Sequence, residues 1–594
     1  MTSSPGTPPA AEITTILAAD IGSARTKVSL FANTPESGWK RRGTAEALTT
    51  AQAPMEGVMG GLSTAAHELE RAVCRRLMAK TGGLMIGGSQ KAGADALVAV
   101  SSAAPPLRLV TLATTAQRSG LWADVASRWS ITQVIDRAVL DSGDGAGMEQ
   151  RWADASHQNG WSDVAAKIRL LSPDAILLTG GYDGGALAPV IEIVQALVGL
   201  RAAGGPPLTV VYAGNHSAVP RLAALLAGRA DLRIVDNVLP RAGDARPAPA
   251  GEALDELYSE RKLGSLNGFS AVAGLSSAPV LSSARALTMV WNMLAELWQE
   301  PVLGLDLGAA TTIAATAGQQ AACVRVQPDL GANMGWDNPL HPIEASALAR
   351  WLPVPLSKTE IQTRLAAQHN PLTLPQNIDA VLFQEALARE AWRALLSTET
   401  SDAPLTPAPA LKALNIVASG GVVAHSPSLW RLALVMLDAA EPCGLVNLWV
   451  DRADILPQLG ALAAVKRDAA LSILKSEAID KLALAVCLAG STAPGSKAAD
   501  VELRLEDGSV RRTIVAWGSL HVVHTAGLGV VTVTVRPVRG VYIPGQPDDR
   551  PLVTTISNCE LGVILDCRSH PLVALLDPEH SHARVRSWIA AGDQ

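Results

Sequence analysis

Two stretches decide the fold: Ile13–Phe31, ITTILAADIGSARTKVSLF, and Pro301–Ala317, PVLGLDLGAATTIAATA. In the first, a strand over Thr14–Ala19 enters a polar tight turn, Asp20–Lys27, and leaves as a second strand, Val28–Phe31. The second repeats the device: apolar strand, Asp306-Leu307-Gly308, two small residues, then Thr311-Thr312 opening another strand. The letters repeat weakly and the context strongly. A single Asp-x-Gly between strands is an ordinary β-turn. Two copies more than a domain apart point to duplicated chemistry. Each is also followed, at a later strand end, by a glycine pair: Gly180-Gly181 and Gly420-Gly421.

The turn chemistry suits an anion. Gly22 and Gly308 let the backbone turn tightly and approach a phosphate. Successive N–H groups in such a turn form an anion-binding nest. Ser23, Thr26, Thr311 and Thr312 add hydroxyls. Asp20 and Asp306 are suited to hold Mg²⁺ through waters, because Mg²⁺ dehydrates reluctantly. Lys27 is either a neutraliser of phosphate charge or a solvated strand residue. Gly421, with Ser419 and Gly420, offers bare backbone on which a base can stack.

Composition bounds the rest. The chain has 594 residues, 48% hydrophobic, 18% charged and 4% aromatic, which excludes intrinsic disorder. Its length is a soft prior for roughly three to five domains. Forty-nine basic against 55 acidic residues give a net charge of −6, so bulk charge offers nucleic acid no basic surface. Six cysteines never form C-x-x-C; they read as small buried hydrophobes rather than metal or iron–sulfur ligands. No run reaches about 18 apolar residues, so no membrane span is expected. Residues 1–12 read as a disordered tail without a secretory pattern, and the expected location is cytoplasmic. Fourteen Trp against 4 Tyr and 3 Phe is an oddity that nothing in the sequence explains.

Along the chain, Met55–Lys80 reads as helical. From Asp95 to Asp236 strands alternate with helices, which predicts parallel pairing. The strand Ala175–Thr179 ends in Gly180-Gly181-Tyr182-Asp183-Gly184-Gly185, where ligands of such sheets sit. Asp183 is there either to orient a water or to cap the helix beginning near Gly185. Helices are expected over Pro457–Lys475 and Ile479–Leu488. Past a linker-like stretch, the chain becomes short strands (Val501–Leu505, Arg512–Ala516, Leu520–His524, Val530–Val535, Leu561–Leu565) and a closing helix, Ser581–Ala591. The expected organisation is 13–240 as a first lobe, 241–300 as a connecting helical segment and 301–489 as a second lobe. A linker at 490–500 and a β-rich domain at 501–594 complete it.

The two Asp-x-Gly hairpins with the late Ser-Gly-Gly resemble the phosphate and adenosine motifs of the actin/Hsp70/sugar-kinase ATPase superfamily. More narrowly, the chain resembles the glutamate mutase accessory proteins (the MutL/GlmL family, unrelated to mismatch repair). LAADIGSARTKVSLF, VSSAAPPLRLV, ILLTGGYDGG, DNVLPRAG, LGLDLGAATT, PDLGANMGWDNPL, ALAREAW, IVASGGVVAHSP, WVDRADILPQLG and LGVILDCRSHPLVAL carry it, in the family's order. Departures fall at Pro105-Pro106, Gln327-Pro328 and Asn558-Cys559, the first removing two N–H donors.

The resemblance implies an α/β, two-lobed actin/Hsp70-like fold with a small C-terminal β-rich domain. It implies ATP with Mg²⁺, with Asp20 and Asp306 as metal-linked carboxylates and Asp183 as a further catalytic candidate. Gly22, Ser23, Thr26, Lys27, Gly308, Thr311 and Thr312 would lie at the phosphates, and Ser419, Gly420 and Gly421 at the adenosine. The implied role is an ATP-driven reactivating or chaperone-like accessory protein for an adenosylcobalamin-dependent mutase such as glutamate mutase. Cobalamin would then be met only through that partner; neither nucleic acid nor membrane is an expected partner. A small-molecule kinase of the same superfamily, or a nucleotide-binding partner that has lost turnover, are the alternatives. Deleting Val501–Gln594 is expected to spare ATP binding.

Overall fold

The computed structural model describes residues 13–53, 55–87, 92–114, 119–139, 168, 170–198, 208–318, 323–328, 330–333, 344–367, 375, 377–396, 414–525, 527–547, 550–557, 559–568, 571–572 and 580–592. The chain forms two compact bodies. One comprises residues 1–103, 267–324 and 329–594, the other 104–266 and 325–328.

The first body holds both hairpins, each leading a mixed sheet of the same pattern. Thr15–Ile21 pairs antiparallel with Arg25–Thr34, which pairs antiparallel with Gly38–Leu48. On its other side Thr15–Ile21 pairs parallel with Ala96–Ser101, and that strand with Leu281–Ser282. In the second sheet Val302–Leu307 pairs antiparallel with Thr311–Ala317 and parallel with Leu414–Ser419, itself parallel with Gly444–Val450. All seven residues of Thr15–Ile21 and all six of Val302–Leu307 are buried, as strands covered on both faces must be. Their apolar runs are therefore unbroken except where Asp20 and Asp306 intrude.

The second sheet continues where the sequence reads helix. Residues 479–488 are not helical: Asp480–Cys487 is a strand, antiparallel to Gly444–Val450 and parallel to Gly562–Asp566. Its Leu and Ala residues favour helix in isolation, but burial on both faces overrides so weak a preference. Leu520–Val523 adds at the edge, antiparallel to Gly562–Asp566. The C-terminal region is β-rich, and these two strands of it complete the large sheet. The others, Lys497–Arg504, Val510–Ala516, Val531–Pro537 and Leu552–Ile556, form a four-stranded sheet of their own. Its first strand already opens at Lys497, inside the linker-like stretch.

The helix read over Met55–Lys80 is shorter, Gly57–Val73. It stops because Cys74 takes a left-handed conformation, and the Glu70 carboxylate turns back to accept the Leu77 and Met78 N–H groups at 2.8 and 2.9 Å.

The second body is a five-stranded sheet, parallel throughout. Its order is Thr132–Val139, Leu107–Ala113, Ala175–Thr179, Leu208–Tyr212, Ala230–Ile234. The alternating stretch expected from Asp95 does not form one sheet: its strand Ala96–Ser101 belongs to the first hairpin's sheet, and the parallel sheet uses Leu107 onward. The stretch Gln150–Leu171, helical by its sequence pattern, lies almost entirely outside the described residues. No helix among the described residues is long and apolar enough to cross a membrane.

Two hairpin-led sheets of one topology, joined to helices and a β-rich C-terminal region, make this an α/β fold.

Candidate functional site

Each hairpin closes in the same way. The Gly22 N–H donates to the Arg25 carbonyl at 3.0 Å, and the Gly308 N–H to the Thr311 carbonyl at 2.9 Å. The turn residues between them, Ser23-Ala24 and Ala309-Ala310, present N–H groups that no acceptor among the described residues takes. Both turns line one cleft of the first body, with Asp20, Lys27, Asp306, Thr311, Gly420, Gly421 and Asp454. It encloses about 1060 Å³ of empty space, part of it open to solvent.

Parallel pairing brings in the glycine pair. Asp306 is in register with Ser419, the last residue of its strand, so the chain turns at Gly420 beside the second hairpin. Gly420 has φ +100°, and a Cβ there would fall 2.3 Å from the Leu307 carbonyl oxygen. A Cβ on Gly421 would meet nothing within 4 Å. The first glycine is thus required by packing, while the second leaves open room in the cleft.

Strand alternation corrects three assignments. Arg25 and Lys27 face the cleft, so Thr26 between them faces away, where its hydroxyl meets that of Thr49 at 2.9 Å. Thr311 and Ile313 face the cleft; the Thr312 hydroxyl donates instead to the Leu330 carbonyl. Ser419 is fully buried and donates to Asp451 at 3.1 Å. These three hydroxyls support the site without lining it. Ser23 does line it, and its hydroxyl donates to the Ser102 carbonyl at 2.9 Å.

Lys27 is neither solvated nor free. Its ammonium lies 3.3 Å from Asp20 and contacts Asp454. Burial opposes its charge, but the Asp454 and Asp20 carboxylates outweigh that and hold its pKa above the ordinary lysine value. Burial raises Asp20 above the usual carboxylate range, against the pull of Lys27. Asp306 is pushed up to about 8, by burial first and then by Asp454. Asp451 is also raised, by burial and by Asp454. One lysine thus faces a surplus of buried carboxyl groups.

Asp454 and Asp451 were not legible as site residues. Asp451 accepts the Ile455 and Leu456 N–H groups at 3.1 and 2.9 Å, holding the start of the helix Leu456–Ser476. Asp454, at φ +51°, then reaches Lys27, and Gln458 donates to the Lys27 carbonyl at 3.2 Å. Arg25, paired with Glu46 at 2.7 Å, and Ser283, whose hydroxyl has no partner among the described residues, also line the cleft.

Asp183 belongs to the second body. Its carboxylate accepts from the His216 N–H at 3.0 Å and the Asn237 amide at 3.1 Å. It thereby ties the glycine loop to the short helical turn His216–Ala218, which is local structural work. Of the departures, Pro105-Pro106 lead into the strand Leu107–Ala113, Gln327-Pro328 end the strand Cys323–Pro328, and Asn558 lies outside the described residues.

The residues present fit Mg²⁺ with a phosphate-bearing ligand. Buried carboxyls in excess of cations lack positive charge, and the turn N–H groups lack acceptors. No three His, Cys, Asp or Glu among the described residues converge as a direct metal-binding set.

The chain is similar to several solved structures. One is the nucleotide-free structure of acetone carboxylase (11% identity, 85% of this chain and 81% of that one, TM-score 0.33). Another is glycerol dehydratase reactivase (12%, 76% and 100%, 0.29). A third is component A of (R)-2-hydroxyglutaryl-CoA dehydratase from Acidaminococcus fermentans (10%, 77% and 99%, 0.26). No curated protein matches. The family model described as MutL protein matches residues 16–478. A match over that much of the chain, including both hairpins and the Ser419-Gly420-Gly421 turn, places the protein in the MutL protein family.

Proposed function

We propose that this chain binds ATP with Mg²⁺ in the first-body cleft and serves a cobalamin-dependent enzyme as an ATP-driven reactivating or chaperone-like accessory protein. The partner is an adenosylcobalamin-dependent mutase such as glutamate mutase. The observation that carries this reading is that both Asp-x-Gly hairpins, 286 residues apart by their aspartates, turn their N–H groups and carboxylates into one cleft. Family membership supports the accessory role.

In this reading Asp20 and Asp306 hold the cation through waters, and the cation supplies charge neutralisation at the phosphates. The Ser23-Ala24 and Ala309-Ala310 turns take phosphate oxygens. Lys27, pinned between Asp20 and Asp454, orients the carboxylates. Gly420 and Gly421 leave bare backbone at the adenosine end. A damaged cofactor that binds tightly stabilises a dead mutase complex. Its release needs an effector whose nucleotide states differ in affinity for that complex.

The test is ATP hydrolysis by the full chain alone, with purified glutamate mutase blocked by cyanocobalamin, and with a panel of sugars and small alcohols. The expected result is hydrolysis stimulated by the blocked mutase, with recovery of mutase activity when intact cofactor and ATP are supplied. Stimulation by a small alcohol with transfer of phosphate to it would replace this reading with a kinase. ATP binding without turnover in any arm would leave a nucleotide-binding partner protein.

A further inference from the structure

The four-stranded C-terminal sheet ends on one side in Val510–Ala516, VRRTIVA. This strand pairs with Lys497–Arg504 alone. Which of its backbone groups stay open follows from the hairpin that precedes it. The Leu505 N–H donates to the Ser509 carbonyl at 3.0 Å, so 505 and 509 are a hydrogen-bonded pair. Bonded and non-bonded pairs alternate along an antiparallel ladder. Residues 511, 513 and 515 therefore bond inward, and Val510, Arg512 and Ile514 turn their N–H and C=O groups to the free edge. No partner for these groups occurs among the described residues.

The side chains of the same three residues share the outer face of the sheet. Ile514 is 64% exposed and Val510 40%. Arg512 between them is well exposed and reaches Glu502 at 3.0 Å. The edge thus offers an apolar, basic, apolar row over about 14 Å of open backbone. A long open edge carrying β-branched residues is a template for a further strand.

Charge selects the occupant. The three strands Lys497–Arg504, Val510–Ala516 and Val531–Pro537 carry five basic residues (Lys497, Arg504, Arg511, Arg512, Arg536) against two acidic ones, Asp500 and Glu502, and the turn between the first two strands adds Glu506 and Asp507. The two strand acids are already engaged, Glu502 by Arg504 and Arg512, and Asp500 by Lys497 at 2.7 Å. Among the described residues Arg511 acts on Asp507 of the turn and Arg536 on Glu502, both without a close ion pair. A second copy of this chain is a poor occupant: antiparallel self-pairing that matches Val510 with Ile514 sets Arg512 against Arg512, and like charges directly opposite are unfavourable.

We infer that the Val510–Ala516 edge accepts an extended acidic segment of a partner protein as an added strand. That segment places a carboxylate opposite Arg512 and apolar residues opposite Val510 and Ile514. This deepens the accessory-protein reading by naming how a partner is grasped, but it does not depend on nucleotide binding.

The test uses the full chain and a fluorescent octapeptide of alternating Val and Glu, with the Val/Lys octapeptide as control. The expected result is saturable anisotropy with Val/Glu only, weakened by salt. Arg511→Glu with Arg512→Glu should lower affinity about tenfold or more. Ile514→Pro should abolish binding, because it removes an outward N–H without breaking an internal bond. Melting curves establish that each variant folds, and ATP titration should be unchanged in all. Equal binding of both peptides, or undiminished binding by the double charge reversal, would overturn the proposal. So would self-association that Ile514→Pro abolishes, which names a second copy as occupant. Binding of phosphatidylserine vesicles in place of the peptide would name a membrane surface and equally overturn it. Failure of ATP binding with peptide binding intact would count against the cleft alone.

Discussion

The Lys27 ammonium lies 3.3 Å from the carboxylate of Asp20, the residue directly opposite it in the first hairpin's ladder. The same ammonium holds Asp454. Removing it strands two buried carboxylates, with Asp306 and Asp451 close enough to feel the loss. Lys27→Met should therefore cost about 3–5 kcal/mol of stability, the usual scale for breaking a buried pair from one side. Urea unfolding without nucleotide measures it; an unchanged midpoint would show that the lysine is not holding the carboxylates.

Asp306 behaves differently. Burial already disfavours its ionised form, so the empty protein gains nothing from that charge. Asp306→Ala should leave the thermal midpoint of the empty protein nearly unchanged and weaken MgATP binding about tenfold to a hundredfold, the range for a group that orients a metal's shell. Isothermal titration with unaltered affinity would remove Asp306 from the site.

The glycine pair separates packing from function. Gly420→Ala forces a Cβ onto the Leu307 carbonyl in a backbone conformation that L residues avoid, and should destabilise the fold by about 1–3 kcal/mol or more. Gly421→Ala places its methyl in open cleft and should leave the fold intact while reducing nucleotide affinity. Melting temperature and ATP titration on the two variants should move in opposite patterns. If Gly421→Ala binds nucleotide like the parent, the base does not lie there.

The hairpins were readable because everything that defines them is local: apolar run, Asp-x-Gly, small residues, apolar run. Asp454 was not, because it arrives 427 positions after Lys27 in a loop whose only local signal is a helix start. The hydroxyls of Thr26, Thr312 and Ser419 were misplaced for a simpler reason. Motif letters ignore the period-two alternation that sends neighbouring side chains to opposite faces. Asp480–Cys487 was read as a helix since its Leu and Ala residues carry no strand preference of their own; only the flanking strands of a sheet assembled from distant segments decide it.

Asp95 gives a pH signature. Burial works against its charge, but the Thr14 and Thr15 N–H groups, each at 2.8 Å, and the Thr14 hydroxyl at 3.0 Å outweigh it and hold its pKa below the ordinary value. A depressed carboxylate adds stability above its unfolded pKa of about 3.9 and loses it as pH falls through the folded pKa. Asp95→Asn should thus cost about 1–2 kcal/mol at pH 7. The gap to the parent should close as pH drops below about 4. Urea melts at pH 7, 5 and 3.5 compare the two; a gap independent of pH would mean the charge contributes nothing.

Deletion of residues 501–594 should not spare nucleotide binding, contrary to what a separate terminal domain would allow. The deletion strips Gly562–Asp566 from its place beside Asp480–Cys487, exposing a buried strand of the sheet that carries Asp306. It also removes Arg568, fully buried, whose guanidinium bonds Asp566 at 2.8 and 3.0 Å and Asp438 at 2.8 Å, and lies 4.5 Å from the Trp588 ring. Among the described residues Asp438 would keep Arg389 alone as its ion-pair partner, at 2.7 Å. The truncated chain should be insoluble or fail to bind MgATP. Arg568→Met isolates the ionic part: it leaves Asp566 and Asp438 buried with too little positive charge, and should cost about 3–5 kcal/mol. A truncated chain that melts cooperatively and titrates MgATP with the parent's affinity would show that the hairpin sheets close without their C-terminal strands.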